Sequence, residues 1–154
     1  MIAVSVARSV RGPGTDPGVI REAASGHWPY RNETDRDRLL EHADVLIAVG
    51  RGLVVGAFAV VGEPVLHEES KRVEFILDRA PAWALPLVGT PAPSELSFSR
   101  GERWPVKLFP TQEVRNRLES NDQILTLRGH HLRITATGDL IVRPAPGRSV
   151  TVTP

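Results

Sequence analysis

The sequence predicts one α+β domain over residues 1–154, built as a small mixed β-barrel with two or three helices on its flank. Its length of 154 residues is enough to bury an ordinary single core. Short apolar runs with the two-residue period of strands outnumber the segments with helical periodicity. The helices are interspersed too irregularly for a doubly wound sheet, which needs strands and helices in regular alternation.

Local signals support each element in turn. We predict helices over residues 19–24, 35–42 and 110–119, and strands over residues 2–7, 45–49, 53–61, 72–77, 104–108, 124–127, 132–135 and 140–142. The first strand alternates small and apolar residues. The first helix begins at Asp16-Pro17, because proline fits the first helical turn, and ends before Gly26. Residues 27–30 show no periodicity and are predicted to be irregular.

The second helix leads into a hairpin. Thr34 or Asp35 is predicted to cap that helix, with Leu39 and Leu40 facing the core. Two apolar runs then meet at a glycine-rich turn, residues 50–52. Both faces of the second run are apolar or small, so this strand is predicted to be internal, and its glycine at position 56 indicates a close approach or a bend.

The later elements are shorter. Residues 80–97 contain four prolines and are predicted to be an irregular crossover. Pro110 opens a helix with Thr111 near its cap. Three short strands follow, and the tail after Pro144 is expected to be loosely held.

Composition limits the possible functions. The chain is 41% hydrophobic and 24% charged, which is typical of a soluble globular protein, and no apolar run reaches the length of a membrane span. It has no cysteine, which excludes disulfides and thiolate chemistry and fits a cytoplasmic protein. The N-terminus lacks the pattern of a signal peptide. We expect no cofactor and no membrane partner.

Charge is unevenly distributed along the chain. Residues 1–99 carry 10 basic and 13 acidic side chains, whereas residues 100–154 carry 9 basic and 5 acidic. Seventeen of the nineteen basic residues are arginine, which binds phosphate in a bidentate manner, although a GC-rich genome has the same effect on composition. A basic turn is predicted over residues 128–133, either as a phosphate contact or as a solvated loop. The candidate phosphate-binding residues are Arg103, Lys107, Arg128 and Arg133.

Four features of the sequence follow one another in an order that is typical of a known family. Residues 5–9 read Ser-Val-Ala-Arg-Ser, Trp28 follows the first helix, and residues 55–60 read Val-Gly-Ala-Phe-Ala-Val. Residues 103–114, Arg-Trp-Pro-Val-Lys-Leu-Phe-Pro-Thr-Gln-Glu-Val, lead from a Pro-Val strand into a helix. Over residues 2–127 this order resembles the PUA-like superfamily, in particular its YTH and EVE branches.

The resemblance implies a PUA-like barrel that reads a modified base. YTH domains bind N6-methyladenine in RNA, and some prokaryotic relatives bind modified bases in DNA, often within restriction or defence systems. Trp28 matches the cage tryptophan, Gly56 matches the hairpin glycine, and Ser5 or Ser9 matches the pocket serine. The implied partner is DNA or RNA carrying a modified base, together with a separate nuclease or motor subunit.

The sequence departs from the family pattern at two places. The strand over residues 72–77 lacks the second cage tryptophan, and Trp83 shortly after it is the candidate replacement. Asn32 and Asp35 are both candidates for the family asparagine. The candidate base-binding residues are Ser5, Trp28, Tyr30, Asn32, Trp83 and Trp104. For Trp28 the alternative is a residue that covers the edge of the core, and for Trp104 an inward-packing strand residue.

Catalytic patterns are weak. His67-Glu-Glu lacks the second histidine of a metal-binding helix, and His130 and His131 would point to opposite faces of a strand. No metal site or nucleophile–base pair is predicted. We therefore expect a non-catalytic module that binds a modified base against Trp28, so that Trp28→Ala removes the preference for that base and keeps the fold. A PUA-like enzyme and a protein-interaction module are the alternatives.

Overall fold

The computed structural model describes residues 1–10, 14–99, 101–120, 123–127, 130–134, 140–144 and 146–147. These fall in two compact units, Met1–Thr111 and Gln112–Pro154, and the prediction of one domain over the whole chain stays a prediction. The helices are α1 (Pro17–Ser25), α2 (Glu33–Glu41) and α3 (Thr111–Ser120), with a 3₁₀ turn at Leu85–Leu87. The strands are β1 (Ile2–Ser5), β2 (Trp28–Pro29), β3 (Val45–Gly50), β4 (Leu53–Val60), β5 (Val65–His67), β6 (Arg72–Glu74), β7 (Leu77–Arg79), β8 (Val106–Leu108), β9 (Gln123–Leu127), β10 (His130–Ile134) and β11 (Leu140–Arg143).

A five-stranded mixed sheet forms the centre of the unit Met1–Thr111. Its strand order is β7-β4-β3-β1-β8, with β1 parallel to β3 and the other neighbours antiparallel. This confirms the α+β class and the internal position of β4. In the part of the chain that the structure describes, β7 and β8 remain as separate edges, so the sheet does not close into the expected barrel.

Helix α1 packs on β4 at a glycine. The Asp16 carboxylate caps the helix by accepting from the Gly18 backbone N–H at 2.8 Å, as predicted for Asp16-Pro17. Within α1, the side chains of Ile20 and Ala24 are buried. At Gly56 an added Cβ would lie 2.9 Å from the Ile20 Cγ2 and 2.8 Å from the Phe58 ring, so the close approach expected there is present.

The β3–β4 hairpin turns through residues with left-handed backbone. Arg51 has φ 52° and Gly52 has φ 80°, which is the pattern of a two-residue type I′ turn. Its strands lie at the centre of the core, with Leu46 and Ala48 fully buried. The crossover predicted over residues 80–97 is irregular and is tied to β4 where Val54 donates its backbone N–H to the Thr90 carbonyl at 3.0 Å.

A second sheet corrects two sequence predictions. Its order is β2-β6-β5, so the segment predicted to be irregular around Trp28 contains a short strand. The strand predicted over residues 72–77 is divided into β6 and β7. The reason is that β6 pairs with β2 and β5, whereas β7 pairs with β4 of the central sheet. The break lies at Phe75, whose backbone N–H donates to the Ser25 carbonyl at 3.0 Å.

The cap of α2 lies earlier than predicted. Asn32, rather than Thr34 or Asp35, occupies the N-cap position, and its side-chain oxygen accepts from the Asp35 backbone N–H at 2.9 Å. Leu39 is buried and Leu40 is half-buried, as the helical spacing indicates.

The unit Gln112–Pro154 contains the rest of α3 and an antiparallel sheet of order β11-β10-β9. The last three predicted strands are therefore confirmed. Residues 130–133, predicted to be part of a basic turn, lie in β10 because they pair with β9 and β11. Most of the tail after Pro144 lies outside the described residues. Among the described residues, no helix has the length and apolar character needed to cross a membrane.

Candidate functional site

Two cavities in the unit Met1–Thr111 divide the candidate aromatic residues between them. The first, of about 190 Å³, is called the Trp104 cavity; it is lined by Pro29, Tyr30, Arg31, Asp35, Arg38, Leu39, Trp104, Val106 and Leu108. The second, of about 510 Å³, is called the Trp28 cleft; it is lined by Ser9, Val19, Glu22, Ala23, Gly26, His27, Trp28 and Arg72. The structure thus brings Tyr30 and Trp104 together and places Trp28 elsewhere.

Three elements position the walls of the Trp104 cavity. Trp104, Val106 and Leu108 share one face of β8 and the residues leading into it, because side chains two apart point the same way. Asp35, Arg38 and Leu39 share one face of α2 at helical spacing. Tyr30 directly follows β2 in the chain, and its backbone N–H donates to the Lys71 carbonyl at 3.0 Å.

The cavity combines an accessible aromatic ring with charged groups. Trp104 is 36% exposed, whereas Tyr30 is buried. The Arg31 guanidinium lies 5.2 Å from the centre of the Trp104 ring, within the range of a cation–π contact. The same guanidinium donates to the Asp35 carboxylate, with Nη2 at 3.1 Å from Oδ1. This hydrogen bond holds the pKa of Asp35 below its ordinary value, so the carboxylate is charged at neutral pH.

Trp28 serves mainly as a core residue. Its indole N–H donates to the Ala24 carbonyl at 2.7 Å, and 8% of its surface is exposed. It is packed in the main hydrophobic cluster, with one part bordering the Trp28 cleft. The expectation that Trp28→Ala keeps the fold is therefore corrected, since truncating a buried tryptophan typically costs about 3–5 kcal/mol.

The remaining base-binding candidates do not line either cavity. Among the described residues, the linings of the two cavities include none of Ser5, Asn32 and Trp83. Ser5 is half-buried at the end of β1, where its backbone N–H donates to the Pro105 carbonyl at 2.8 Å. The oxygen of Asn32 is occupied by the helix cap described above. Trp83 is half-buried in the turn before the 3₁₀ segment.

The phosphate-binding candidates differ in availability. Arg103 is exposed next to Trp104. Lys107 is already occupied: its ammonium donates to the Ser97 carbonyl at 2.6 Å and lies 3.3 Å from Glu102 Oε1. Arg128 lies outside the described residues, and Arg133 belongs to β10.

A cluster of metal-ligating side chains was missed by the sequence reasoning. His27, His67 and Glu74 place their ligand atoms within 4.8 Å of one another. The histidines are forty positions apart, and only the pairing of β2, β6 and β5 brings them together. The strand in residues 65–67 was not predicted, and without its pairing to β6 nothing in the sequence joins His27 to His67.

Comparison with protein-family models, curated proteins and solved structures finds no match to this chain. The chemistry of the two cavities and of the side chains around them is therefore the basis for inferring a function.

Proposed function

We propose that the unit Met1–Thr111 binds single-stranded nucleic acid and holds one base, preferentially a methylated one, in the Trp104 cavity. The observation that supports this most strongly is a partly exposed indole that lines a cavity together with two guanidinium groups. Base stacking needs an accessible aromatic face, and the phosphate backbone needs cations beside it. The family resemblance adds the expectation of a modified base and of a separate nuclease or motor partner.

Stacking on Trp104 is energetically feasible although Arg31 covers the ring. The Arg31 side chain is 71% exposed, so its cation–π contact is worth about 0.5–1 kcal/mol. A base stacked on an aromatic side chain contributes about 1–3 kcal/mol. A base therefore gains more from stacking on the indole than the loss of the cation–π contact costs. Arg31 can also stack on the far side of the base, since guanidinium planes pack on π-systems.

The walls suit the edge and the methyl group of a base. Both oxygens of the charged Asp35 carboxylate accept from Arg31, and each has a second lone pair that can accept from an exocyclic amino group. Leu39, Val106 and Leu108 form an apolar surface beside it. Burial of one added methyl group on such a surface is worth about 0.8 kcal/mol, which corresponds to roughly a fourfold preference.

The test is a binding panel measured by fluorescence anisotropy. Labelled DNA and RNA oligonucleotides, single- and double-stranded, are compared with and without N6-methyladenine or 5-methylcytosine. We expect single strands to bind more tightly, because a duplex must first extrude the base. Loss of stacking in Trp104→Ala is expected to weaken binding about 5- to 150-fold.

Trp83→Ala is the matched control, since it removes a half-buried indole outside both cavities. Circular dichroism verifies that both variants stay folded. Equal binding by Trp104→Ala and the wild type would contradict the proposed site, and so would an equal loss in Trp83→Ala.

A further inference from the structure

We propose that His27, His67 and Glu74 form a binding site for a divalent transition metal ion, with Zn²⁺ as the preferred occupant. The Nε2 atom of His67 lies 3.6 Å from Glu74 Oε2. The two imidazole rings have their centroids 4.8 Å apart and are tilted by 57°. All three residues therefore direct nitrogen or oxygen ligands toward one small volume.

The register of the second sheet explains why these side chains meet. His67 is paired with Arg72 of β6, and cross-strand partners lie on the same face of a sheet. Glu74 lies two residues further along β6 and shares that face. Trp28 is paired with Val73, so the residue before Trp28, His27, lies beside Glu74. The three ligands thus come from three neighbouring chain segments on one face.

One ring nitrogen in this cluster makes no hydrogen bond within the described residues, since Glu74 Oε2 at 3.6 Å is too distant for one. Nε2 of His67 is shielded from solvent and, among the described residues, has no hydrogen-bond partner. Buried polar atoms are nearly always paired, so an unpaired one calls for an explanation. A metal ion bound to Nε2 would supply the missing interaction.

The donor set fits zinc better than calcium or magnesium. Two imidazoles and one carboxylate are a ligand combination used by three-ligand zinc sites, whereas Ca²⁺ and Mg²⁺ select oxygen ligands. Metal–ligand bonds of about 2.1 Å at tetrahedral angles place ligand atoms about 3.4 Å apart. The 3.6 Å pair already matches this separation. All ligand atoms lie within 4.8 Å of one another, and the exposed His27 side chain can rotate to bring its ring nitrogen closer to the other two.

Three protein ligands leave one position of a tetrahedral ion open to water or to a small anion. His27 also lines the Trp28 cleft, together with the Arg72 guanidinium, which donates to the His27 carbonyl at 2.9 Å. The open position is therefore expected next to a cleft of about 510 Å³.

The test is titration of tag-free protein with Zn²⁺ by calorimetry, and with Co²⁺ by visible absorption. We expect one ion per chain and the intense absorption bands of four-coordinate cobalt. At zinc concentrations about a hundredfold above Kd, the thermal midpoint should rise by roughly 10 °C, since an ion that binds only the folded state stabilises it.

His67→Ala and Glu74→Gln each remove a proposed metal ligand. Removing only the outer hydrogen-bond partner of a ligand typically weakens metal binding by roughly 10- to 100-fold. We expect each of these two variants to weaken Zn²⁺ binding by more than that. His42→Gln is the matched control, because this half-buried histidine lies outside the cluster. A second control, H130Q/H131Q, replaces the two consecutive histidines in the unit Gln112–Pro154.

Unchanged zinc affinity in both His67→Ala and Glu74→Gln would overturn the proposal, and so would loss of the site in either control. His67 is absent from the lining of the Trp104 cavity, so His67→Ala is expected to bind oligonucleotides like the wild type. The outcome for the metal is thus independent of the outcome for nucleic acid.

Discussion

Gly56→Ala tests the packing of α1 against the central sheet. The added methyl group would lie 2.8 Å from Phe58 Cε2 and 2.9 Å from Ile20 Cγ2, both shorter than any ordinary contact. Phe58 is 9% exposed and Ile20 is 5% exposed, so neither side chain can move freely away. The strand or the helix must shift to accept the methyl group.

The expected loss follows from two opposing effects. Overpacking of a well-packed core typically costs about 1–3 kcal/mol. Replacing a glycine inside a strand by alanine recovers about 0.5–1 kcal/mol of conformational entropy. The overpacking term is larger, so we expect the free energy of unfolding to fall by about 1–2 kcal/mol. For a unit of this size, that lowers the thermal midpoint by roughly 5–15 °C.

The assay is urea unfolding followed by circular dichroism, with Gly14→Ala as the matched control. Gly14 is exposed and a Cβ there would meet nothing within 4 Å, so the control should change stability by less than about 0.5 kcal/mol. A Gly56→Ala variant as stable as the wild type would refute the packing of Ile20 and Phe58 over this glycine.

Three further predictions concern α2, the ion pair at β8 and the phosphate contacts. Asn32→Ala removes the cap of α2 and should lower the free energy of unfolding by about 1 kcal/mol in urea titrations, because the asparagine oxygen accepts from the Asp35 backbone N–H; unchanged stability would contradict the cap. The Ser99 backbone N–H, together with Lys107, holds the pKa of Glu102 below its ordinary value of 4.5. Glu102→Gln should therefore be less stable than the wild type at pH 7, and the difference should vanish as the pH falls through that lowered pKa; a constant difference between pH 7 and pH 3 would contradict this. Arg103→Ala should reduce the slope of log K against log salt by about 0.7, the value for one phosphate contact on a single strand, and an unchanged slope would remove Arg103 from the interface.

Local signals were sufficient for the elements that depend on neighbouring residues. The Asp16 cap, the glycine-rich turn before β4 and the spacing of apolar residues in β3 and β4 all act within a few positions. Each was therefore predictable, and so was the close approach at the glycine inside β4.

The rest depended on pairing between distant segments. Residues 72–79 contribute strands to two sheets, which depends on their distant partner strands. The same holds for Trp28, which lies in a strand and whose indole N–H is hydrogen-bonded inside the core. An aromatic site was predicted from the sequence, with Trp104 among its candidate residues. The sequence could not show that α2 and β8 place Trp104, rather than Trp28, beside an arginine and an aspartate. The histidine cluster was missed for the same reason.

The most direct test of the proposed base site follows the three tryptophan indole N–H signals by two-dimensional ¹⁵N–¹H NMR during titration with a single-stranded oligonucleotide containing N6-methyladenine. A base in the Trp104 cavity should shift the Trp104 signal strongly and leave the hydrogen-bonded Trp28 signal and the Trp83 signal in place. A titration that moves the Trp28 signal instead, or that moves none of the three at saturating oligonucleotide, would contradict the account.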